Sequence, residues 1–398
     1  MATTSDPLAY FDLSSPSMSM MGSEIRKARE QHWFAKTSFG VAVLRHAEVG
    51  ELLRHKQLRQ GVMSWPAQNG VTSGLLHDWW SRILSGHEGK EHQRLRRLVN
   101  PAFSRENIIP VAEAFHSLAE DLVDQFESRE TFEFMSDFAE PFSSRALCRL
   151  LAIPESDWKA ISRETATLGM ALSSEIANKR NEIEEALESL LSRAERLIAN
   201  ARENSDSEFL SALVAASDGE DGLTDDELKD MVVLVIFAGM DTTRSQLGQA
   251  MVLFGANPEQ WELLAERPEL AANAVEEVIR FNPAVSWISR VAMSSFTYQD
   301  LQVEEGSVLH LMVYSSGTDP LVIDDDVFDI AKERVAHHGF GGGRHHCLGH
   351  TVARTDIREA LLTLSRRLGN LRYSVDPTLT TATGNTSPIA LPFAFDSR

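Results

Sequence analysis

The chain has 398 residues, 43% hydrophobic and 24% charged, the balance of a soluble globular protein rather than a disordered or fibrous one. Its formal net charge of −20 disfavours nucleic acid or an anionic membrane as a partner, because a phosphate-rich surface repels it. Two cysteines are too few for a disulfide framework, and the start MATTSDPLAYF has no basic region, apolar stretch or cleavage site, so a cytoplasmic protein with no membrane anchor is expected.

Helical signals dominate up to about Arg280, while short strand-like stretches cluster at 39–44 and 297–314. The expected class is mainly α with a minor β part, as one domain over 1–398. The first chemically suggestive run is Glu91–Arg97, which sets His92 and Arg96 four residues apart on one helical face. A solvated basic face is the ordinary alternative for such a run. Cys148, inside Ala-Leu-Cys-Arg-Leu-Leu, reads as core packing. The Asp-, Glu-, Ser- and Gly-rich stretch 206–226 reads as a surface loop.

Thr224-Asp-Asp-Glu227 is a capping box, flanked by Leu223 and Leu228 for a hydrophobic staple. No proline follows until Pro258, which predicts a helix of roughly 30 residues, about 45–50 Å long. Its middle, 232–238, is apolar almost all round, as in a helix buried in a large core or lining a cofactor. The apolar run ends at Gly239 and falls far short of the roughly 20 residues that span a membrane. Within the helix, Ala238-Gly239-Met240-Asp241-Thr242-Thr243 puts a glycine where alanine would be better by about 1 kcal/mol, and adjacent acid and alcohol groups where burial is expected. Room for a ligand against the backbone is one reason; a helix kink from threonine back-bonding is the other. Farther on, Glu277 and Arg280 stand three apart on one face, and the run from Val308 is a buried-strand candidate.

The most specific stretch is Phe340-Gly-Gly-Gly-Arg-His-His-Cys347-Leu-Gly349, followed by an amphipathic helix from about His350 to Leu368. Glycine suits unusual dihedrals or close approach to another group, and a helix start beside Cys347 favours thiolate over thiol. A buried free cysteine beside a glycine-rich turn is the bland alternative. Zinc is another, since His337, His338, His345, His346 and His350 surround Cys347, although a structural zinc site usually draws on paired knuckles.

This loop resembles the heme-binding loop of the cytochromes P450, and the acid–alcohol helix, the Glu-Arg pair and the His92–Arg96 face resemble three further motifs of that family, in family order. The resemblance covers nearly the whole chain. It implies a single, triangular, mainly α domain holding heme b (iron protoporphyrin IX). It also implies Cys347 as the metal ligand and Ala238, Phe340 and Gly349 at the cofactor. His92, Arg96, Arg290 and His345 would then be the propionate partners. By the same resemblance Thr242 holds dioxygen and water at the iron, and Asp241 feeds protons inward. Glu277 and Arg280 would pin the heme-side loop; their third partner in the family is an arginine where this chain has Lys332, and Arg334 is the candidate substitute. Ser316-Gly-Thr-Asp-Pro320 departs from the family's usual Asn-Arg before Asp-Pro.

The implied activity is hydroxylation, epoxidation or oxidative coupling of a small-molecule substrate, a secondary metabolite. The segments that contact substrate in the family hold Trp65, Trp79, Trp80, Phe237 and Trp287 here, which permit a large or aromatic substrate, although tryptophans on helices are more often core. Electrons would come from a ferredoxin and its ferredoxin reductase, docked at Arg94, Arg97, Arg344 and Arg354. A peroxide-driven enzyme and a heme-based gas sensor or carrier are the rivals; neither needs the Asp241–Thr242 pair.

Overall fold

The capping box at Thr224 forms as read: the Thr224 hydroxyl accepts from the Glu227 amide at 3.2 Å, and Glu227 accepts from the Thr224 amide at 2.8 Å. From it runs a helix of 32 residues, Asp225–Ala256, about 48 Å long at 1.5 Å per residue. The computed structural model describes residues 8–13, 15, 18, 19, 22–204, 206–379 and 385–398. Helices pack around this central one, chiefly Glu140–Leu150, Trp158–Gly169, Arg180–Glu203 and His350–Arg367. Leu228, Val232, Val233 and Ile236 are fully buried on it, each contributing roughly 1.5–3 kcal/mol through apolar area removed from water.

The minor β part is a six-stranded sheet in the order Tyr10–Phe11, Phe34–Thr37, Gly40–Val43, Val308–Met312, Trp287–Ala292, Leu58–Gln60. Strand Trp287–Ala292 runs antiparallel to Leu58–Gln60 in a register that sets Arg290 opposite Gln60. This pairing carries Arg290 to the edge of the functional cavity. A smaller sheet joins Leu368–Tyr373, Pro392–Ser397 and Thr131–Glu133. The expected class therefore holds, although the strands after Leu368 and the strand at Trp287 carried no signal in the reading above.

One expectation is corrected. The stretch 206–226 is not all loop, since Glu208–Ala215 is helical. Ser207 caps it, its hydroxyl accepting from the Leu210 amide at 3.0 Å, and Phe209, Leu210, Leu213 and Val214 bury one face. Four apolar residues at helical spacing outweigh the polar composition around them.

The Glu277–Arg280 pair is almost wholly buried, at 2.6 Å. Arg280 also donates to the Gly317 carbonyl at 2.6 Å, and Glu277 accepts from the Asp329 amide at 3.1 Å. Arg334 supplies the third member, 3.6 Å from Glu277, whereas Lys332 pairs with Asp325 at the surface. The departure at 316–320 is accommodated: Asp319 is buried, accepting from Arg45 at 2.7 Å and from the His46 amide at 2.9 Å. Gly339, at the start of the cysteine loop, lies so close to Ile279 that a Cβ there would stand 2.3 Å from its methyl. The helix bearing the ion pair thus supports the loop directly.

Glu277→Ala should lower stability by about 3–5 kcal/mol, because Arg280 keeps its charge in a buried site without its carboxylate. Lys332→Ala should stay within about 0.5 kcal/mol. Unfolding midpoints of the two variants, measured side by side, check the contrast.

Candidate active site

The cysteine loop is shaped by two left-handed glycines, Gly341 at φ 71° and Gly343 at φ 68°, which residues with a side chain adopt only at a cost. The Cys347 amide closes the loop onto the Phe340 carbonyl at 2.8 Å. Gly343 approaches protein rather than an open face: a Cβ on it would lie 3.0 Å from the Leu53 carbonyl oxygen. Arg354 covers the Phe340 ring at 4.3 Å and is held by Glu276 at 2.9 Å. Gly349 ends the loop as the cap of helix His350–Arg367.

Cys347 opens onto an interior cavity of about 260 Å³, whose other lining includes His92, Arg96, Ala238, Gly239, Thr242, His345 and Gly349. The cysteine loop and the middle of the long helix therefore face one space. Arg290, Phe340 and Asp241 are not among the residues that line it. Burial pushes the Cys347 thiol up, although the Gly349 amide and the Arg96 and Arg354 charges pull the other way. The helix start, through the Gly349 amide, and desolvation thus act on this thiol in opposite directions. A bound metal cation reverses this balance, since a coordinating thiol is deprotonated outright.

The rim carries donors without acceptors. His92 is 2% exposed, and neither of its ring nitrogens has a hydrogen-bond partner; burial, with the His345 and Arg96 charges, brings it down to about 4, so it is neutral at pH 7. Arg290 is equally buried; it gives one Nη to Gln60 at 2.5 Å, and its other Nη is unpartnered. Burial lowers it to about 10. Arg96 reaches only Asn100, at 3.2 Å through Nε. Unpaired buried donors of this kind call for an anionic acceptor, and a macrocycle bearing two carboxylates fits them, with a cysteine beneath. His345 differs, because its Nε2 already meets Glu88 at 2.8 Å.

Glu88 is the residue that the sequence reading missed. Burial would raise it, but His345 and Arg344, at 2.6 Å, hold it down to about 2. It ties the cysteine loop to the turn before helix Gly89–Val99. It stands four residues before His92, one position ahead of the first helical residue, so the spacing of His92 and Arg96 continued one step back would have found it. A second omission is Asp356, buried, its carboxyl raised well above its ordinary range by that burial. It lines the same cavity and meets the Thr243 hydroxyl at 3.3 Å. Its position on the apolar stripe of its helix, beside Ile357 and Ala360, was a readable signal.

On the long helix, the Thr242 hydroxyl donates to the Ala238 carbonyl at 2.7 Å. The back-bond is present, and Thr242 nonetheless lines the cavity. Asp241 is not buried as expected: its side chain is 45% exposed and paired with Arg244 at 2.6 Å. Gly239 meets nothing within 4 Å but a Leu147 methyl at 3.8 Å, so the room left by its missing side chain belongs to the cavity.

Two other expectations change. None of Trp65, Trp79, Trp80, Phe237 and Trp287 lines the cavity; Trp79 and Trp80 are core residues stacked edge-on against Phe237. Of the four arginines read as a docking patch, Arg94 pairs with Glu91 and Glu227, Arg344 with Glu88 and Arg354 with Glu276. Only Arg97 is exposed without an ion pair among the described residues. Cys148 is buried as expected, and its thiol is pushed up to about 12 by burial. Among the described residues no three His, Cys, Asp or Glu side chains form a metal-binding group. Nor is any described helix long and apolar enough to cross a membrane.

Comparison with known proteins gives the same picture. The family profile described as Cytochrome P450 matches residues 145–382. Luteothin monooxygenase from Streptomyces thioluteus is 32% identical over 98% of this chain and 96% of its own length. Nocardicin C N-oxygenase from Nocardia uniformis subsp. tsuyamanensis is 32% identical over 72% of each chain. Among solved structures, CalO2 superposes with a TM-score of 0.86 at 27% identity, covering 96% of this chain and 99% of that one. With a cysteine thiol facing an acid–alcohol helix across one donor-rimmed cavity, and relatives matched over its whole length, the chain belongs to the cytochrome P450 family of heme-thiolate monooxygenases, which oxidise small organic molecules.

Proposed function

We propose that this chain binds heme b through Cys347 and oxidises a secondary metabolite in the cavity under helix Asp225–Ala256. The observation that carries the reading is the cavity itself, lined both by Cys347 and by Ala238, Gly239 and Thr242 of the long helix. His92, Arg96, Arg290 and His345 would hold the two propionates, Ala238 would lie against the macrocycle, and Phe340 and Gly349 would frame the ligating loop. When bound, the heme supplies dioxygen reduction and transfer of one oxygen atom to a substrate, its thiolate favouring O–O cleavage.

The side chains then have distinct tasks. The Thr242 hydroxyl has committed its proton to the Ala238 carbonyl, so its lone pairs remain to accept from a water or a protonated group in the cavity. Asp241, half in solvent, exchanges protons with bulk water and passes them to that point. Leu84, Leu147, Leu150, Met231, Leu234 and Val235 make the lining largely aliphatic, which excludes water and favours an apolar ligand by area buried. The names of the similar enzymes support a natural product as substrate.

Two electrons come from a redox partner, and a ferredoxin with its ferredoxin reductase is the reading that we favour. Arg97 stands at an open groove of about 570 Å³ shared with Gln93, Arg96 and Arg344, where an acidic carrier would find an unpaired charge. The two cysteines are unpaired, which suits the cytoplasm.

Cys347→Ala should abolish oxygenation and the strongly red-shifted absorption of the reduced carbon monoxide complex, even where heme is retained; a variant keeping that band overturns the ligand assignment. Arg96→Leu should weaken heme retention roughly ten- to a hundredfold, the value of one charge-assisted hydrogen bond in a poorly hydrated site. Transfer of heme to an apo-globin acceptor measures this without any turnover. Thr242→Ala should leave heme content and fold intact while product per reduced nicotinamide falls roughly tenfold or more and hydrogen peroxide rises. An unchanged ratio would return Thr242 to a structural role.

A further inference from the structure

Asp241 is gripped from two sides. Arg244, one turn along the same helix, donates to Oδ1 through Nη2 at 2.6 Å and Nε at 3.1 Å. From the C-terminal segment, the Asn385 side-chain amide donates to Oδ2 at 2.6 Å. The opposite end of that amide, Asn385 Oδ1, is buried and accepts from no donor among the described residues. Turning the amide over would set its oxygen against the carboxylate, so the charge on Asp241 dictates the orientation.

Asn385 also has a fixed place. It bridges to Val285, and the next residue, Thr386, donates its amide to the Ala284 carbonyl at 2.6 Å and accepts from Gln249 at 2.9 Å. Gln249 in turn accepts from Asn282 at 2.5 Å, and Gln246 both donates to the Asn282 carbonyl at 3.0 Å and accepts from the Ala284 amide at 2.9 Å. Gln246, Gln249 and Asn282 are buried. The hydrogen bonds of Gln246, Gln249 and Asn282 lock the C-terminal segment to the helix that carries Asp241.

We propose that Asn385 is the positioning residue of Asp241: it fixes the plane of the carboxylate against Arg244, leaving the remaining lone pairs of the two oxygens for proton traffic toward Thr242. This rests on the reading of Asp241 as the proton source.

The test uses the heme-loaded protein with surrogate ferredoxin and ferredoxin reductase, following reduced nicotinamide consumed without added organic substrate. In parallel, the Asp241 carboxylate stretch is read by infrared spectroscopy of protein carrying isotope-labelled aspartate, with Asp241→Asn as the blank. Asn385→Asp keeps the shape of the side chain but exchanges a donor for a like charge. It should move the Asp241 band and slow consumption roughly three- to tenfold. The double variant Asp241→Asn with Asn385→Asp restores an amide–carboxylate contact with the polarity reversed, so it should recover the thermal midpoint and not the rate. An unmoved band in Asn385→Asp, or a double variant that recovers rate and midpoint together, overturns the proposal. A wild-type rate in Asp241→Asn alone would instead remove its premise, and that arm separates the two failures, because the band still reports whether Asn385 holds the carboxylate.

Discussion

Beside half-buried Arg96, His92 and Arg290 bring buried hydrogen-bond donors to a cavity rim where no acceptor among the described residues completes them. Each such group costs about 1–3 kcal/mol in desolvation, so the protein alone is strained toward an anionic ligand of matching shape. The surrounding architecture serves this constraint. The strand pairing that sets Arg290 opposite Gln60 fixes one donor, the first turns of helix Gly89–Val99 fix two more, and Glu88 offsets part of the excess positive charge by taking up Arg344 and His345. The thiol of Cys347 belongs to the same balance, since burial raises it and a metal cation would draw its proton off.

Charge on the outer surface is treated differently. The chain is strongly acidic, and most of its arginines are spent on carboxylates: Arg367 alone meets Glu120, Asp124 and Glu127. A cation left unpaired on such a surface is conspicuous to an incoming acidic protein, and Arg97 is one. Recognition of this sort depends on the local field and not on net charge.

The sequence made the class, the long helix and the cysteine loop legible because each carries a local signal. A capping box, the distance to the next proline and glycines at fixed offsets are all readable within a few residues. Arg334 as the partner of Glu277 was also within reach, since Lys332 lacks a planar fork. What escaped depends on contacts between distant segments. Asn385 reaches Asp241 across 144 positions, and the strands after Leu368 gain their identity from pairing with Thr131–Glu133. Composition misled at 206–226, where polar residues hid a helix, whereas the core alternative weighed for the tryptophans holds for Trp79 and Trp80. The exposure of Asp241 was misjudged for a related reason, because a helix apolar through 232–238 changes character within one turn.

Gly239 has a consequence for how such an enzyme diversifies. A methyl group added there meets only Leu147, at van der Waals distance, and otherwise projects into the cavity. It would also relieve the helix of about 1 kcal/mol of glycine's propensity penalty. Position 239 therefore couples two properties with opposite selective value: a residue that makes the chain sturdier also narrows the chamber by one carbon. Lineages under pressure for robustness would drift toward alanine and a smaller clientele, whereas those that keep glycine hold open a volume whose only defence is the molecules it admits.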